Sequence, residues 1–442
     1  MKCELFDGES LRALLNDEIA ERKEEGCNVE SVSKEFTRLG HDASNQDLEV
    51  LYRKLESLSP RPDFPYVEPS DLARIQDQRV EGPAKAELNL SDDQLYDKIY
   101  GAWLGRCAGC MLGKPTEGWT KQKIQHYLEL ANSYPLTNYV PEVIPHPSGF
   151  EIQEDAYETA LLGRIRCAGR DDDLDYMAIN LQVLEEFGFS FTTDNIAETW
   201  LTRMPYKMTY TAERAAYRNL VNNLKPTASA TYRNPYREWI GAQIRADLWG
   251  YAAPGNPKFA ATLAHRDASL SHVKNGIYGE MLVAAMISAA FTTNDVEEIV
   301  HAGLSQIPAT SRLAETVRDM MKWKKECSMW TEAWGKIVTK YGSYSWIHTL
   351  NNAALVLLGL LYAGSDFEKG ITISVMAGLD TDCNGATCGS ILGATLGGSS
   401  LPRKWTDPLN DRIKTAVFGF LECRISELAK RTFSVAKTLM DV

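Results

Sequence analysis

Apolar positions along this chain recur every three or four residues, the spacing of a single helix face. In "LDYMAINLQVLEEFG" Leu174, Met177, Ala178, Leu181 and Leu184 fall on one side, and Gly188 supplies a stop. "SHVKNGIYGEMLVAAMISAAF", "DVEEIVHAGLSQI" and "SRLAETVRDMMKWKKEC" repeat the pattern. Ser91, with Gln94 three residues on, forms a capping-box pair that predicts a helix start, and Gly113–Lys114–Pro115 predicts its end. The run "NNAALVLLGLLYAG" (351–364) is too short for a membrane span and reads as a buried helix. No sustained alternation of period two occurs, so the predicted fold class is all-α, a compact multi-helix bundle with a small N-terminal helical extension.

Two features interrupt this regularity. Gly101, Gly105, Gly109 and Gly113 recur every fourth residue in the first predicted helix of the main body, and Gly385, Gly389, Gly393 and Gly397 do so far downstream. Each interior glycine costs a helix about 1 kcal/mol relative to alanine, so two such stripes predict central, adjacent helices whose backbones approach closely. The second interruption is "SPRPDFPYVEPSD" (59–71), four prolines in thirteen residues, which can be neither helix nor central strand. It divides the chain into an N-terminal helical extension with its connector, residues 1–70, and a main domain over 71–442 whose regular helical pattern begins near Leu88. The proline-bearing stretch 132–150 predicts a long loop around the helical core.

Charge narrows the partners. The formal net charge is −12, from 47 Lys+Arg against 59 Asp+Glu, with no basic block, which argues against nucleic acid as a partner. The first residues lack the apolar core of a secretory signal. Nine cysteines, an odd number at modest density, favour reduced thiols and a cytoplasmic setting. Cys107 and Cys110 form a C-x-x-C without a second pair or a histidine cluster, so they read as small packing residues rather than a zinc site.

Candidate chemistry lies in the acids. Asp171, Asp172 and Asp173 stand together at the head of an apolar helix, where carboxylates stabilise the first turn by roughly 0.3–1 kcal/mol each; capping alone is a sufficient explanation of that triplet. Asp380 and Asp382 open the second glycine-striped helix. If the two helix starts converge, five carboxylates at one point need cations to stay ionised. Oxygen-rich donor sets suit Mg²⁺ or Mn²⁺, and two clusters suit a two-metal site. Glu117, just past the first striped helix, is either a loop glutamate or a further member of the cluster. Glu154–Asp155 is a candidate cleft edge. Arg245 and Asp247 read as a structural ion pair or as substrate contacts.

Four stretches together, "DKIYGAWLGRCAGCMLGKPTEGW", "RDDDLDY", "DASLSHVKNGIYGE" and "GLDTDCNGATCGSILGATLGG", resemble the ADP-ribosylglycohydrolase family, in its order and spacing, over roughly residues 94–405. The resemblance implies a compact all-α fold that holds two divalent cations and removes ADP-ribose from modified acceptors. It implies that Asp171, Asp172 and Asp173 ligate one metal, that Asp382 bridges both, and that Asp380 and Cys383 belong to the second. Glu117 then orients or deprotonates the attacking water, with Asp172 and Asp382 beside it in catalysis. His272 matches a position lining the family's cleft, although a lone histidine is as often structural. Backbone near Gly113 and Gly276 is expected to receive the diphosphate, and Trp119, Tyr278 and Trp346 are candidate faces for adenine. The sequence departs from the family at Asp171 and Cys383, each in place of a threonine, and at Cys110 in place of an aspartate.

The expected partner is thus an ADP-ribose-containing substrate, with an ADP-ribosylated protein as its extended form, and neither nucleic acid nor membrane. Alternatives from other classes are a glycosidase for a nucleoside or other N- or O-glycoside, a two-metal phosphohydrolase, and a non-catalytic binding or immunity protein using residues 1–70.

Overall fold

A computed structural model describes residues 10–40, 43–83 and 85–440. The first predicted helix of the main body runs Asp92–Gly113, with Ser91 and Gln94 closing the capping box from both sides. The second glycine-striped helix runs Thr381–Leu396. The two lie antiparallel at the centre of the molecule, with Gly101 against Gly393, Gly105 against Gly389, Gly109 against Gly385 and Gly113 against Thr381. A Cβ added at any of these four glycines of the first helix would overlap the facing backbone carbonyl, so the stripes exist to let backbone rest on backbone.

Around this pair pack Asp172–Phe187, Lys274–Ala290, Thr349–Ala363, Phe367–Met376 and Ile425–Met440. The Lys274–Ala290 helix is buried along nearly its whole length, as its apolar sequence requires. The fold is all-α. Among the described residues the one sheet is a small antiparallel hairpin, Arg412–Lys414 with Glu422–Arg424, in which Ile413 faces Cys423. Its strands are too short to leave a period-two signal. No helix among the described residues is long and apolar enough to cross a membrane.

At the N-terminus, helices Leu11–Glu24, Glu30–Leu39 and Asn45–Glu56 gather their own apolar cluster around Leu14, Leu15, Leu51, Tyr52 and Leu55. The proline-rich connector that follows is pinned to the main body. Tyr66 donates to Glu315 at 2.5 Å, Tyr278 donates to the Pro69 carbonyl, and the His265 ring meets the Ser70 carbonyl at 2.9 Å.

Candidate metal centre

The glycine register decides where the acids meet. Because Gly113 at the end of one helix faces Thr381 at the start of the other, the segments just beyond them are neighbours. Gly118 donates to the Leu379 carbonyl and Leu379 donates to the Trp119 carbonyl, both at 2.9 Å. Thr381 Oγ1 donates to the Gly113 carbonyl at 2.7 Å. This stitching brings Glu117 beside Asp380 and Asp382, and carboxylate oxygens of the three lie within 4.8 Å of one another. Asp380 begins its helix without capping it through its side chain, and its amide donates to Asn352 Oδ1 at 3.2 Å.

The Asp172–Phe187 helix supplies the other acids. Asp171 is its N-cap, accepting from the Asp173 amide at 3.1 Å, so the capping role is real and coexists with the cleft. Asp173, Asp382 and Cys383 form a second group of donor atoms within 4.8 Å, and Asp382 is common to both groups. One oxygen of Asp382, Oδ1, is buried without a hydrogen-bond partner. Both groups are donor sets for a divalent cation with Asp382 common to them: Glu117, Asp380 and Asp382 offer only hard oxygen, whereas Cys383 adds a soft sulfur to the other.

The acids are not equal, because two bases reach them. Lys114 Nζ lies 2.9 Å from Asp171 Oδ2, 3.0 Å from Asp155 Oδ2 and 2.6 Å from the Arg170 carbonyl. Burial works against ionisation of Asp171, but this ammonium holds its carboxyl below the usual range. Arg106, fully buried, binds Asp173 Oδ1 at 2.9 Å and Asp247 Oδ2 at 2.9 Å. The other oxygen of Asp173 accepts from the Cys383 thiol at 3.0 Å.

Burial and mutual repulsion dominate at the other carboxyls, and at Asp173 they outweigh its Arg106 partner. Burial, then the charge of Asp382, raises Asp380; burial and Asp171 raise Asp172 and bring Asp382 up to about 6. Burial also raises Asp173 against the pull of Arg106. Glu117 is pushed up to about 10, first by the Asp382 charge and then by burial. Its Oε2 accepts from Gln153 Nε2 at 3.1 Å.

These groups line a cavity of about 280 Å³. Glu117, Asp171, Asp172, Asp380, Asp382 and Cys383 form its acidic side, and Trp239, Ile240, Ile244, Trp346 and Ile347 form an apolar wall opposite. Lys114, Gln153, Asp155, Arg170, Tyr210, Thr211, Glu213 and Gly241 complete the lining. Of the expected acidic pair Glu154–Asp155, the structure brings Asp155 to the cleft.

Other expected residues lie elsewhere. His272 is buried behind the wall, its Nδ1 2.8 Å from Ser271 Oγ, so it is a structural histidine and not part of the cleft lining. Gly276 sits inside the Lys274–Ala290 helix, where a Cβ would meet the Arg237 carbonyl and the His272 ring. Gly113 is closed off by the Thr381 backbone. Both glycines serve close packing, and neither offers backbone to a diphosphate. Trp119 and Tyr278 are core residues at 6% and 0% exposure, which leaves Trp346, at 41%, as the expected aromatic that borders the cleft. Arg245 pairs with Asp267 at 3.0 Å, whereas Asp247 pairs with Arg106, so both are structural but not partners. Cys107 and Cys110 are buried packing residues in the first striped helix. Gln153 and Trp239 lie outside the quoted motifs, and Arg106 and Lys114, although inside one, carry nothing that marks their roles; the carboxylates that Arg106 and Lys114 meet are distant along the chain.

Fold and cleft together define an all-helical protein whose helix ends gather carboxylates suited to divalent cations. Residues 91–439 match the ADP-ribosylglycohydrolase family, and the chain belongs to it. An uncharacterised protein of Archaeoglobus fulgidus is 23% identical over 320 residues, covering 72% of this chain and 92% of its own. A solved structure described as an ADP-ribosylglycohydrolase-related protein complex aligns over 78% of this chain and 99% of its own, with 18% identity and a TM-score of 0.49.

Proposed function

We propose that this protein is a divalent-cation-dependent hydrolase that cleaves the glycosidic bond between ADP-ribose and a modified acceptor, an arginine or serine side chain of a protein, and releases intact ADP-ribose. Family membership gives the class of reaction. The observation that carries the reading is the pair of donor groups sharing Asp382, whose Oδ1 is buried and unpartnered. Glu117, Asp380 and Asp382 would hold one Mg²⁺ or Mn²⁺, and Asp173, Asp382 and Cys383 the other, with Asp171 and Asp172 beside them. Bound there, the cations supply positive charge that fixes the ribose hydroxyls and polarises the bond to be cleaved.

The chain's own residues do the rest. Glu117, steadied by Gln153, would be ionised once positive charge offsets the Asp382 carboxylate that otherwise keeps it protonated, and would then take the proton of the attacking water as general base. Lys114 and Arg106 keep Asp171 and Asp173 in fixed orientations, which maintains the cluster's geometry between turnovers. The apolar wall of Trp239, Ile240 and Trp346 excludes water and offers flat faces to the nucleotide. Arg170, on the rim, meets the negative charge of the diphosphate.

The test is release of ADP-ribose from arginine- and serine-linked ADP-ribosylated proteins with Mg²⁺ or Mn²⁺. Intact ADP-ribose should appear from one linkage, EDTA should abolish it, and Asp382→Asn should lower kcat by about 10³-fold. Cation binding with no release from either linkage would overturn the reading. Appearance of AMP in place of ADP-ribose would replace it with phosphohydrolysis.

A further inference from the structure

Apart from Ile244, the cleft's apolar wall is made from two short segments, residues 236–241 and 345–349, stitched to each other. Ile240 donates to the Ile347 carbonyl at 2.9 Å, and Thr349 Oγ1 donates to the Trp239 carbonyl at 2.9 Å. Apart from Thr349, which opens the Thr349–Ala363 helix, these residues form neither helix nor strand, so their position depends on what lies behind them. Behind them lies the N-terminal helical unit, which precedes the matched family region.

The attachment is dense and buried. Arg237, at 6% exposure, lies 2.8 Å from Glu18 and 3.0 Å from Glu25, both on or ending the Leu11–Glu24 helix. Glu25 also takes Lys274 at 2.9 Å. Tyr236 packs against the unit's apolar cluster, donates to Asp17 at 3.3 Å, and places its ring 4.7 Å from that of Trp239. Arg312 binds Glu68 of the connector and Glu238 of the wall, each at 2.7 Å, and also donates to the Glu24 carbonyl at 3.0 Å. The route from the extension to the cleft surface is thus one or two residues long, through Tyr236–Trp239 and Arg237–Ile240.

We infer that the N-terminal unit is a working part of the cleft: it sets the position of the Trp239/Trp346 wall and thereby the affinity for the substrate's nucleotide. Two physical arguments carry this. Without Glu18 and Glu25, the buried guanidinium of Arg237 has lost its two hydrogen-bonded carboxylates and keeps only Glu21, at 3.6 Å, and a buried charge stripped of its closest partners forces local rearrangement. Conversely, a unit of three short helices buries too little core to hold its shape undocked. Dependence in both directions makes the coupling reciprocal, so a ligand that orders the wall also orders the extension. Arg237, Tyr236 and Arg312 are positioning residues in this scheme, and none of them lines the cavity.

The choice of ligand rests on the proposed hydrolase reading; the mechanical coupling does not. The test uses the full chain, wild type and Glu18→Gln/Glu25→Gln, with the milder Glu18→Gln alone should the double variant fail to fold. Amide hydrogen exchange, ADP-ribose affinity and Mn²⁺ affinity are measured on each. In the wild type, saturating ADP-ribose should slow exchange in residues 11–24, which lie outside the cleft. In the variant, exchange at 236–241 and 345–349 should speed up and ADP-ribose should bind about tenfold more weakly, while Mn²⁺ affinity at the carboxylates stays the same. Faster exchange in 11–24 with 236–241 and ADP-ribose affinity unchanged would overturn the inference. Absence of ADP-ribose binding in the wild type would instead count against the hydrolase reading, and the exchange at 236–241 would still decide the coupling.

Discussion

Glu24 shows what burial does to a single carboxyl in this molecule. Burial, then the charge of Glu238, raises it to about 7 despite Arg312 nearby. An acid whose folded pKa stands above its unfolded value near 4.5 adds nothing unfavourable below that value, when it is neutral in both states. Its stability contribution is lost as pH rises through the folded pKa, because the folded chain resists the ionisation the unfolded chain accepts. Glu24→Gln should therefore match the wild type in denaturant melts at pH 4.5 and be about 2 kcal/mol more stable at pH 8. At the same scale, Glu117→Gln should lower kcat by about 10²–10⁴-fold through loss of the proton acceptor and also weaken Mn²⁺ binding, since it replaces one carboxylate of the Glu117–Asp380–Asp382 donor group; single-turnover kinetics at saturating Mn²⁺ and calorimetry separate the two. The acids Glu117, Asp171, Asp172, Asp380 and Asp382 were legible as candidates because each sits where a helix starts or stops. Lys114 and Arg106 were not, since Arg106 meets Asp173 across 67 positions of sequence and nothing local marks the match. His272 and Gly276 misled for a related reason: a motif gives their place in the chain but not their depth.

At the scale of elements, the contact between Asp92–Gly113 and Thr381–Leu396 governs both fold and site. Gly109→Ala would drive a methyl group into the Gly385 carbonyl, and backbone cannot move aside as a flexible side chain can. The expected cost is about 3 kcal/mol, at the upper end of overpacking effects, readable as a lower denaturation midpoint at unchanged slope. The same variant should bind Mn²⁺ more weakly, because forcing the helices apart separates Glu117 from Asp380 and Asp382. The stripes announced themselves in the sequence, since interior glycine at regular spacing has a cost that only close approach offsets. The antiparallel register did not, because a four-residue repeat pairs equally well at several offsets. The hairpin at 412–424 was silent for want of length.

For the whole molecule, the unneutralised carboxylates of the cleft repel one another in the cation-free protein, so cation binding and folding are linked. Mn²⁺ or Mg²⁺ at a hundred times its dissociation constant should stabilise the protein by about 2.7 kcal/mol per site, seen as a rise in Tm that Asp382→Asn largely removes. At this scale the all-helical architecture was readable from periodicity. How the N-terminal extension sits was not readable, because the ion pairs that dock it, such as Glu18 with Arg237, join residues 219 positions apart. The prolines marked a connector without regular structure, and nothing in them told that it is bonded to the body at Tyr66, Pro69 and Ser70.

The glycine-lined contact also bears on how this protein can change over evolutionary time. In most cores, the separation of two helices drifts as the side chains between them are exchanged for larger or smaller ones. Here peptide groups touch with nothing in between, so there is no side chain whose replacement could widen or narrow the gap by increments. The spacing of the acids at the ends of these helices is thereby shielded from gradual drift. Rim and wall residues are free to vary, while the carboxylate frame stays fixed beneath them.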